Sequence, residues 1–210
     1  NKRLNQITRY EIIKFHAGLK DEGLAPASCD HYVKLLKHSL NCAIDWGLLN
    51  DKNPAARIPL YNADNQVENL LSDDELQRLL VVLRTDANRP ICLIILFLLS
   101  TGARLNEALQ AKWSQIDISA RVWVVPALAS KSKKNRAIPL TDSAIDVLQQ
   151  LDTKDQYEHI FVNIKTGIPY VSIRKQWLRI QKLANLSKHM RIHDTRHTLA
   201  QLMCAAGQSL

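Results

Sequence analysis

The sequence predicts a mainly α protein in two parts. An N-terminal helical domain precedes a mixed α/β domain that is mostly helical with a small three-stranded antiparallel sheet. Three observations carry this. Apolar residues recur at helical spacing through most of the chain. The period shortens to two only between Ile116 and Leu140. A polar stretch without period, residues 61–70, separates residues 1–60 from residues 71–210 and reads as a linker.

The N-terminal part reads as helices. From Ile7 to Gly23, the residues Ile7, Tyr10, Ile13, Phe15 and Leu19 lean to one side, and Gly23 suits a helix stop. A second helix runs from near Ser28 to Trp46, with Tyr32, Val33, Leu35, Leu36, Leu40, Ala43 and Ile44 as a wide apolar stripe. Gly47 ends it, and Asn53-Pro54 marks a turn. Lys34, Lys37 and His38 share one side of this helix. Such charges more often mark a solvated face than a stripe facing phosphates.

After the linker, Ser72 with Glu75 forms a capping box, and the acidic first turn suits the helix dipole. That helix runs to about Arg84. The next opens near Pro90, carries the apolar run Ile91–Leu99 and ends by Thr101-Gly102. The run is far too short to span a membrane and reads as a buried helix. Arg104 follows the glycine turn and starts a helix to about Lys112, with Glu107 one turn on. Ile116, Ile118, Val122, Val124 and Val125, then Ala137, Ile138 and Leu140, read as short antiparallel strands, with Lys131 in the loop joining the last two. Helices follow through Leu151, from about Tyr170 to Ala184, and from His193 to Ala206. The last has Leu199, Leu202, Met203 and Ala206 on its apolar face.

The 210 residues are 46% hydrophobic, enough for one large domain or two small ones with real cores. Lys and Arg number 28 against 20 for Asp and Glu, a net charge of +8. Nucleic acid is the commonest partner of a domain this basic, although an ordinary positive surface has the same composition. Cys29, Cys42, Cys92 and Cys204 form no C-x-x-C pair and have no metal-finger spacing. Cys42 and Cys92 sit among apolar neighbours and are expected to fill core, as suits a reducing compartment. The polar N-terminus shows no signal-peptide pattern, and the expected location is the cytoplasm.

Basic residues that could hold one phosphodiester are scattered through the second half. Arg104 lies in Thr101-Gly102-Ala103-Arg104-Leu105-Asn106-Glu107, and Lys131 in Ser130-Lys131-Ser132-Lys133-Lys134-Asn135-Arg136. His193 and Arg196 lie in His193-Asp194-Thr195-Arg196-His197. An arginine fork matches phosphate oxygens, a lysine offers charge or a proton, and a histidine moves protons near neutral pH. Taken singly, each has a plainer reading. Arg104 and Glu107 could be a helix ion pair worth only ~0.2–0.5 kcal/mol. Lys131, Lys133, Lys134 and Arg136 could be a solvated hairpin tip, and the histidines could be hydrogen-bonded to backbone. His193 and His197 also have the i, i+4 spacing of a zinc hydrolase. Asp194 there is short for the general base, only His189 stands nearby as a third ligand, and the basic clusters would repel a cation. No metal is expected.

In order and spacing these motifs resemble the tyrosine recombinase (phage integrase) family across nearly the whole chain. Thr101 to Glu107 matches its T-G-x-R-x-x-E, and Lys131 followed by Arg136-Ala137-Ile138-Pro139-Leu140 matches its hairpin lysine. His193 to His197 matches its H-D-x-R-H box. Residues 1–60, including Ala43 to Gly47 and Asn53-Pro54, resemble its helical, SAM-like core-binding domain. Residues 71–210 resemble most of its catalytic domain.

The resemblance implies a site-specific DNA recombinase of a phage, prophage or other mobile element. Such an enzyme cuts and rejoins duplex DNA through a 3′-phosphotyrosyl bond without a cofactor. It implies Arg104 and Arg196 on the phosphate oxygens, and Lys131 as the acid, with Lys133 as its substitute. His193 is implied as a base or hydrogen-bond donor, and Glu107 as the carboxylate orienting Arg104. Lys34, Lys37, Lys133, Lys134 and Arg136 are implied contacts to DNA backbone. The family acts as tetramers on paired sites, and this piece alone is expected to be a monomer.

The chain departs from the pattern in one respect. The family's further His or Trp and its nucleophilic tyrosine follow the H-x-x-R box, whereas Tyr10, Tyr32, Tyr61, Tyr157 and Tyr170 all precede His193. The piece is therefore expected to bind DNA without cleaving it. A DNA-binding module without catalysis is the alternative.

Overall fold

The computed structural model describes residues 2–49, 52–62, 70–127 and 135–205, with the backbone alone for residues 201, 202, 204 and 205. The chain divides into two compact units, Asn1–Val67 and Glu68–Leu210.

The first unit contains α1 (Arg9–Asp21) and α2 (Pro26–Asp45). Thr8 caps α1: Glu11 N–H donates to Thr8 Oγ1, and Thr8 N–H donates to a Glu11 carboxylate oxygen at 3.0 Å. Pro26 sits in the first turn of α2, where its missing N–H costs nothing. The core is Ile12, Val33, Leu40, Ala43, Leu49, Ala55 and Ile58.

The buried face of α1 differs from the expected one. Ile12 and His16 are buried, whereas Tyr10 (73% exposed), Ile13 and Phe15 face outward. A polar pair causes the rotation. His16 Nε2 lies 2.9 Å from Asp30 Oδ1, and Asp30 also accepts from the N–H groups of Tyr61 and Asn62 at 3.0 Å each. A satisfied buried His–Asp pair therefore holds the inward face that an apolar count assigns elsewhere. The stripe of α2 is also narrower than expected, with Tyr32 and Leu35 exposed. Cys92 is buried, but Cys42 is only half-buried, with Sγ 3.8 Å from His38 Nε2. Cys29 is the cysteine sealed inside the first unit.

The second unit runs α3 (Asp73–Thr85), α4 (Arg89–Thr101), α5 (Leu105–Leu109), β1 (Ile116–Asp117), β2 (Val122–Val125) and β3 (Arg136–Pro139). It continues with α6 (Asp142–Gln149), β4 (Val162–Asn163), β5 (Ile168–Pro169), α7 (Arg174–Leu183) and α8 (Thr195–Ala205). It is mainly helical with a small antiparallel sheet of order β1-β2-β3. The α4 helix is the hub. It packs against α3, α5, α6 and α8, and it is buried almost all round from Ile91 to Leu99. The period-2 alternation of β2 turns Trp123 and Val125 inward and leaves Val124 outside. Trp123 and Phe161 each lie 5.3 Å from Phe97, ring centre to ring centre.

Two boundaries differ from expectation. The α5 helix stops at Leu109, and a 3-10 turn, Trp113–Gln115, leads into β1. The α7 helix begins at Arg174, because Ile168–Pro169 pairs with Val162–Asn163 in a second, two-stranded sheet. Strands of two residues are too short to show a period. Among the described residues, no helix is long and apolar enough to cross a membrane.

Candidate active site

Gly102 sets the local geometry. It ends α4 in the left-handed region (φ +60°), and its N–H donates to Leu98 O at 2.9 Å. A Cβ at this position would lie 2.9 Å from Leu199 Cδ2 and 3.9 Å from Arg196 Cγ. Glycine thus lets α8 press against the end of α4, bringing Arg196 beside the turn that presents Arg104.

Arg104 caps α5. Its N–H donates to Glu107 Oε2 at 3.0 Å, and its Nη1 donates to Oε1 at 2.8 Å. Arg136, the first residue of β3, donates Nη2 to Glu107 Oε2 at 2.5 Å. The Glu107 side chain is only 2% exposed, so one buried carboxylate holds two guanidinium groups. An exposed pair at this spacing would contribute little. The arginine side chains keep solvent contact, 38% exposed for Arg104 and 30% for Arg136, so losing either costs less than the ~3–5 kcal/mol of a fully buried pair.

Arg196 is the third guanidinium. Burial, then the charges of Arg136 and Arg104, hold its pKa below the ordinary arginine range, with Glu107 opposing. It stays charged nonetheless. Among the described residues, Arg196 Nη1 and Arg136 Nε are buried donors with no hydrogen-bond partner. Three guanidinium groups against one carboxylate, with two buried donors unmet, suit an anion bearing several oxygens.

The α7 helix positions the segment that carries His193. Trp177 Nε1 donates to Met190 O at 2.8 Å, and Met190 N–H donates to Gln181 Oε1 at 2.7 Å. A 3-10 turn, Ile192–Asp194, follows. Arg191 N–H and Nη2 each donate to the buried Asp194 carboxylate at 2.9 Å. His193 therefore stands in the turn ahead of α8. This corrects the expected helical i, i+4 placement with His197. The two rings meet edge to face, 5.8 Å between centroids. His193 keeps an exposed face, so its desolvation is partial; this first lowers its pKa, and His197, Arg196 and Arg104 add to it while Asp194 opposes it. The neutral imidazole is favoured, and a neutral imidazole can accept a proton. Asp194 is bonded to Arg191, and no group of three His, Cys, Asp or Glu among the described residues could hold a metal.

The structure thus brings together Arg104, Glu107, His193 and Arg196 from separate parts of the sequence. Lys131, Lys133 and Lys134 lie outside the described residues. Lys34 and Lys37 are exposed on α2. Arg136 is turned inward rather than standing on a solvated tip. One signal for this was available: residues 136 and 138 share a face of β3, and Ile138 is apolar and buried. The supporting roles of Trp177 and Gln181 leave no local signature. Tyr170 is half-buried against the core, which pushes its hydroxyl pKa up. Tyr61 stacks on His16 at 4.3 Å, and Tyr10 and Tyr32 are exposed in the first unit.

A mainly helical scaffold with a small sheet thus gathers arginines from three segments around one carboxylate, an arrangement suited to an anion. The family model described as "Phage integrase family" matches residues 69–210. Over 203 residues the chain is 29% identical to the integrase of Salmonella phage P22, covering 90% of this chain and 50% of that protein. It is 28% identical over 212 residues to tyrosine recombinase XerC of Xanthomonas campestris pv. campestris (strain B100), covering 93% and 61%. The chain therefore spans about half to three fifths of the length of these curated relatives. Among solved structures, the Tn1549 transposon integrase in complex with circular intermediate DNA superposes with a TM-score of 0.76 at 19% identity, covering 98% of this chain and 75% of that one. A lambda integrase dimer bound to a COC′ core site gives 0.76 at 23%, covering 97% and 76%. These two likenesses establish the fold. The chain belongs to the phage integrase family.

Proposed function

We propose that this chain supplies the core-binding and catalytic parts of a site-specific DNA recombinase. In this reading residues 1–60 bind DNA, residues 61–70 link, and residues 71–210 carry the chemistry. The observation that carries it is the pairing of Arg104 and Arg136 on the buried Glu107 carboxylate with Arg196 beside it, in a member of this family. The structural neighbours are described as bound to DNA, one of them as a tetramer on a Holliday junction, which supports duplex DNA and a tetramer as the working assembly.

The reaction follows from the charges. A tyrosine hydroxyl attacks a DNA phosphorus, and the new P–O bond forms as the bond to the 5′-oxygen breaks. Arg104 and Arg196 hold the non-bridging oxygens as negative charge gathers on them. Losing one such preorganised donor costs ~10²–10³ in rate. His193, favoured neutral, accepts the tyrosine proton or hydrogen-bonds the phosphate. Lys131 gives a proton to the departing 5′-oxygen. Rejoining is the reverse, with the incoming 5′-hydroxyl attacking the phosphotyrosine. The attacking tyrosine is none of Tyr10, Tyr32, Tyr61, Tyr157 and Tyr170. Lys34, Lys37, Lys133 and Lys134 meet backbone phosphates, and the enzyme works at the nucleoid.

Equilibrium binding to duplex DNA across a salt series tests the DNA reading. The logarithm of the affinity is expected to fall linearly with the logarithm of salt, with a slope near −0.9 per phosphate contact. An affinity unaffected by ionic strength would contradict it.

A further inference from the structure

We propose that Arg136 is a positioning residue of the phosphate site, acting through Glu107. The inference rests on the phosphate reading of Arg104 and Arg196 and adds a part to it.

Three observations converge on Arg136. Its Nη2 is 2.5 Å from Glu107 Oε2, on the carboxylate whose Oε1 takes Arg104 Nη1 at 2.8 Å. The Glu107 side chain is 2% exposed, so water competes little for either bond. Arg136 also opens β3, where it pairs with Val125 across the hairpin. Just beyond that pair, Asn135 Oδ1 accepts from Ala127 N–H at 2.8 Å. A charged bond therefore joins the sheet to the helix cap that presents Arg104. Lys131 lies five residues before Arg136 in the chain.

Arg104 bonds both Glu107 oxygens, its backbone N–H on Oε2 and its Nη1 on Oε1, so these contacts all come from one residue at the helix cap. Arg136 adds a charged bond on Oε2 from a second element, the sheet, and so braces the carboxylate, and with it the Arg104 fork, against moving with the cap alone. Arg136 thus sets where Arg104 points and links that direction to the hairpin. Its Nη2 is committed to Glu107 and its Nε is buried without a partner, which distinguishes it from a lysine lying on the DNA backbone.

Inorganic phosphate is the probe. Its affinity for the chain is measured by titration, alongside the Nε–H resonance of Arg104 in arginine-labelled protein. Arg136→Ala is expected to weaken phosphate about tenfold, the scale of one charge-assisted bond, and to collapse the Arg104 resonance toward its solvent-averaged position. Arg136→Lys keeps the charge without the fork and is expected to recover less than half of the logarithmic loss. Glu107→Gln is expected to weaken phosphate similarly, and combining it with Arg136→Ala should lose little more, because both act on one carboxylate. If Arg136→Ala does not fold, Arg136→Lys carries the same comparison. An unchanged Arg104 resonance with unchanged phosphate affinity in the Arg136 variants overturns the proposal. Fully additive losses in the double variant do so as well, since they mean Arg136 acts only as a separate charge. In either case phosphate binding lost in Arg104→Ala leaves the phosphate site standing. Unchanged affinity in both Arg104→Ala and Arg196→Ala would instead sink the phosphate reading itself.

Discussion

Gly102 joins two constraints in one residue. Its backbone is left-handed, and its missing Cβ leaves room for Leu199 at the α4–α8 contact. Alanine there must take an unfavourable backbone and displace the Leu199 methyl. The expected cost of Gly102→Ala is about 1–3 kcal/mol of stability, read as a lower Tm. Phosphate affinity should also fall, because the strain lies between Arg104 and Arg196. A variant with wild-type Tm and affinity would contradict the packing described. The Thr101–Glu107 and His193–His197 motifs were legible because each is local in sequence. Arg136 was not, because its partner Glu107 is 29 residues away and meets it only through the fold. Strand alternation pointed it inward, while the basic neighbours of the hairpin suggested solvent.

The α3 and α7 helices form the frame behind the site. Glu75 Oε1 accepts from Ser187 N–H at 2.9 Å and from its hydroxyl at 2.7 Å. Arg78 donates to the carbonyls of Ala184 and Asn185 at 3.0 and 3.1 Å, closing the end of α7. Arg179 grips Asp86 with two bonds, at 2.7 and 2.8 Å. The frame is sensitive to acid. Hydrogen bonds from Ser187 first, then from Ser72, lower Glu75 from 4.5 to about 2. Arg179 first lowers Asp86 from 3.8 to about 2. Both folded values lie below the unfolded ones. These carboxylates therefore stabilise the fold fully above the unfolded values, and that contribution is lost as pH falls from about 4.5 toward about 2. Thermal unfolding followed across this range should show Tm falling more steeply with acid in the wild type than in Glu75→Gln or Asp86→Asn. Equal slopes would rule out the frame as the source. The Ser72–Glu75 cap could be read from sequence, but the bonds of Glu75 to Ser187 could not, since nothing local announces a partner 112 residues away. The inward face of α1 escaped for a related reason: His16 is buried only because Asp30 meets it.

The whole molecule is basic, divides into two compact units, and belongs to the phage integrase family over its second unit. Its mainly helical class was legible from period and composition, because α4 and its neighbours are long enough to repeat. The second sheet was not, because its strands are two residues long. At this scale the charges have one consequence. On the proposed function, the site that gathers Arg104, Arg136 and Arg196 around Glu107 is where a phosphodiester would be held and its charge stabilised. The direct measurement is covalent capture on a nicked duplex carrying the recognition site, using the protein encoded by the whole reading frame. The wild type should form a protein–DNA adduct resistant to denaturant. Arg196→Ala should form ~10²–10³-fold less per unit time while still binding the duplex. Wild-type adduct formation by Arg196→Ala, or no adduct from the wild type on its own site, would contradict the assignment.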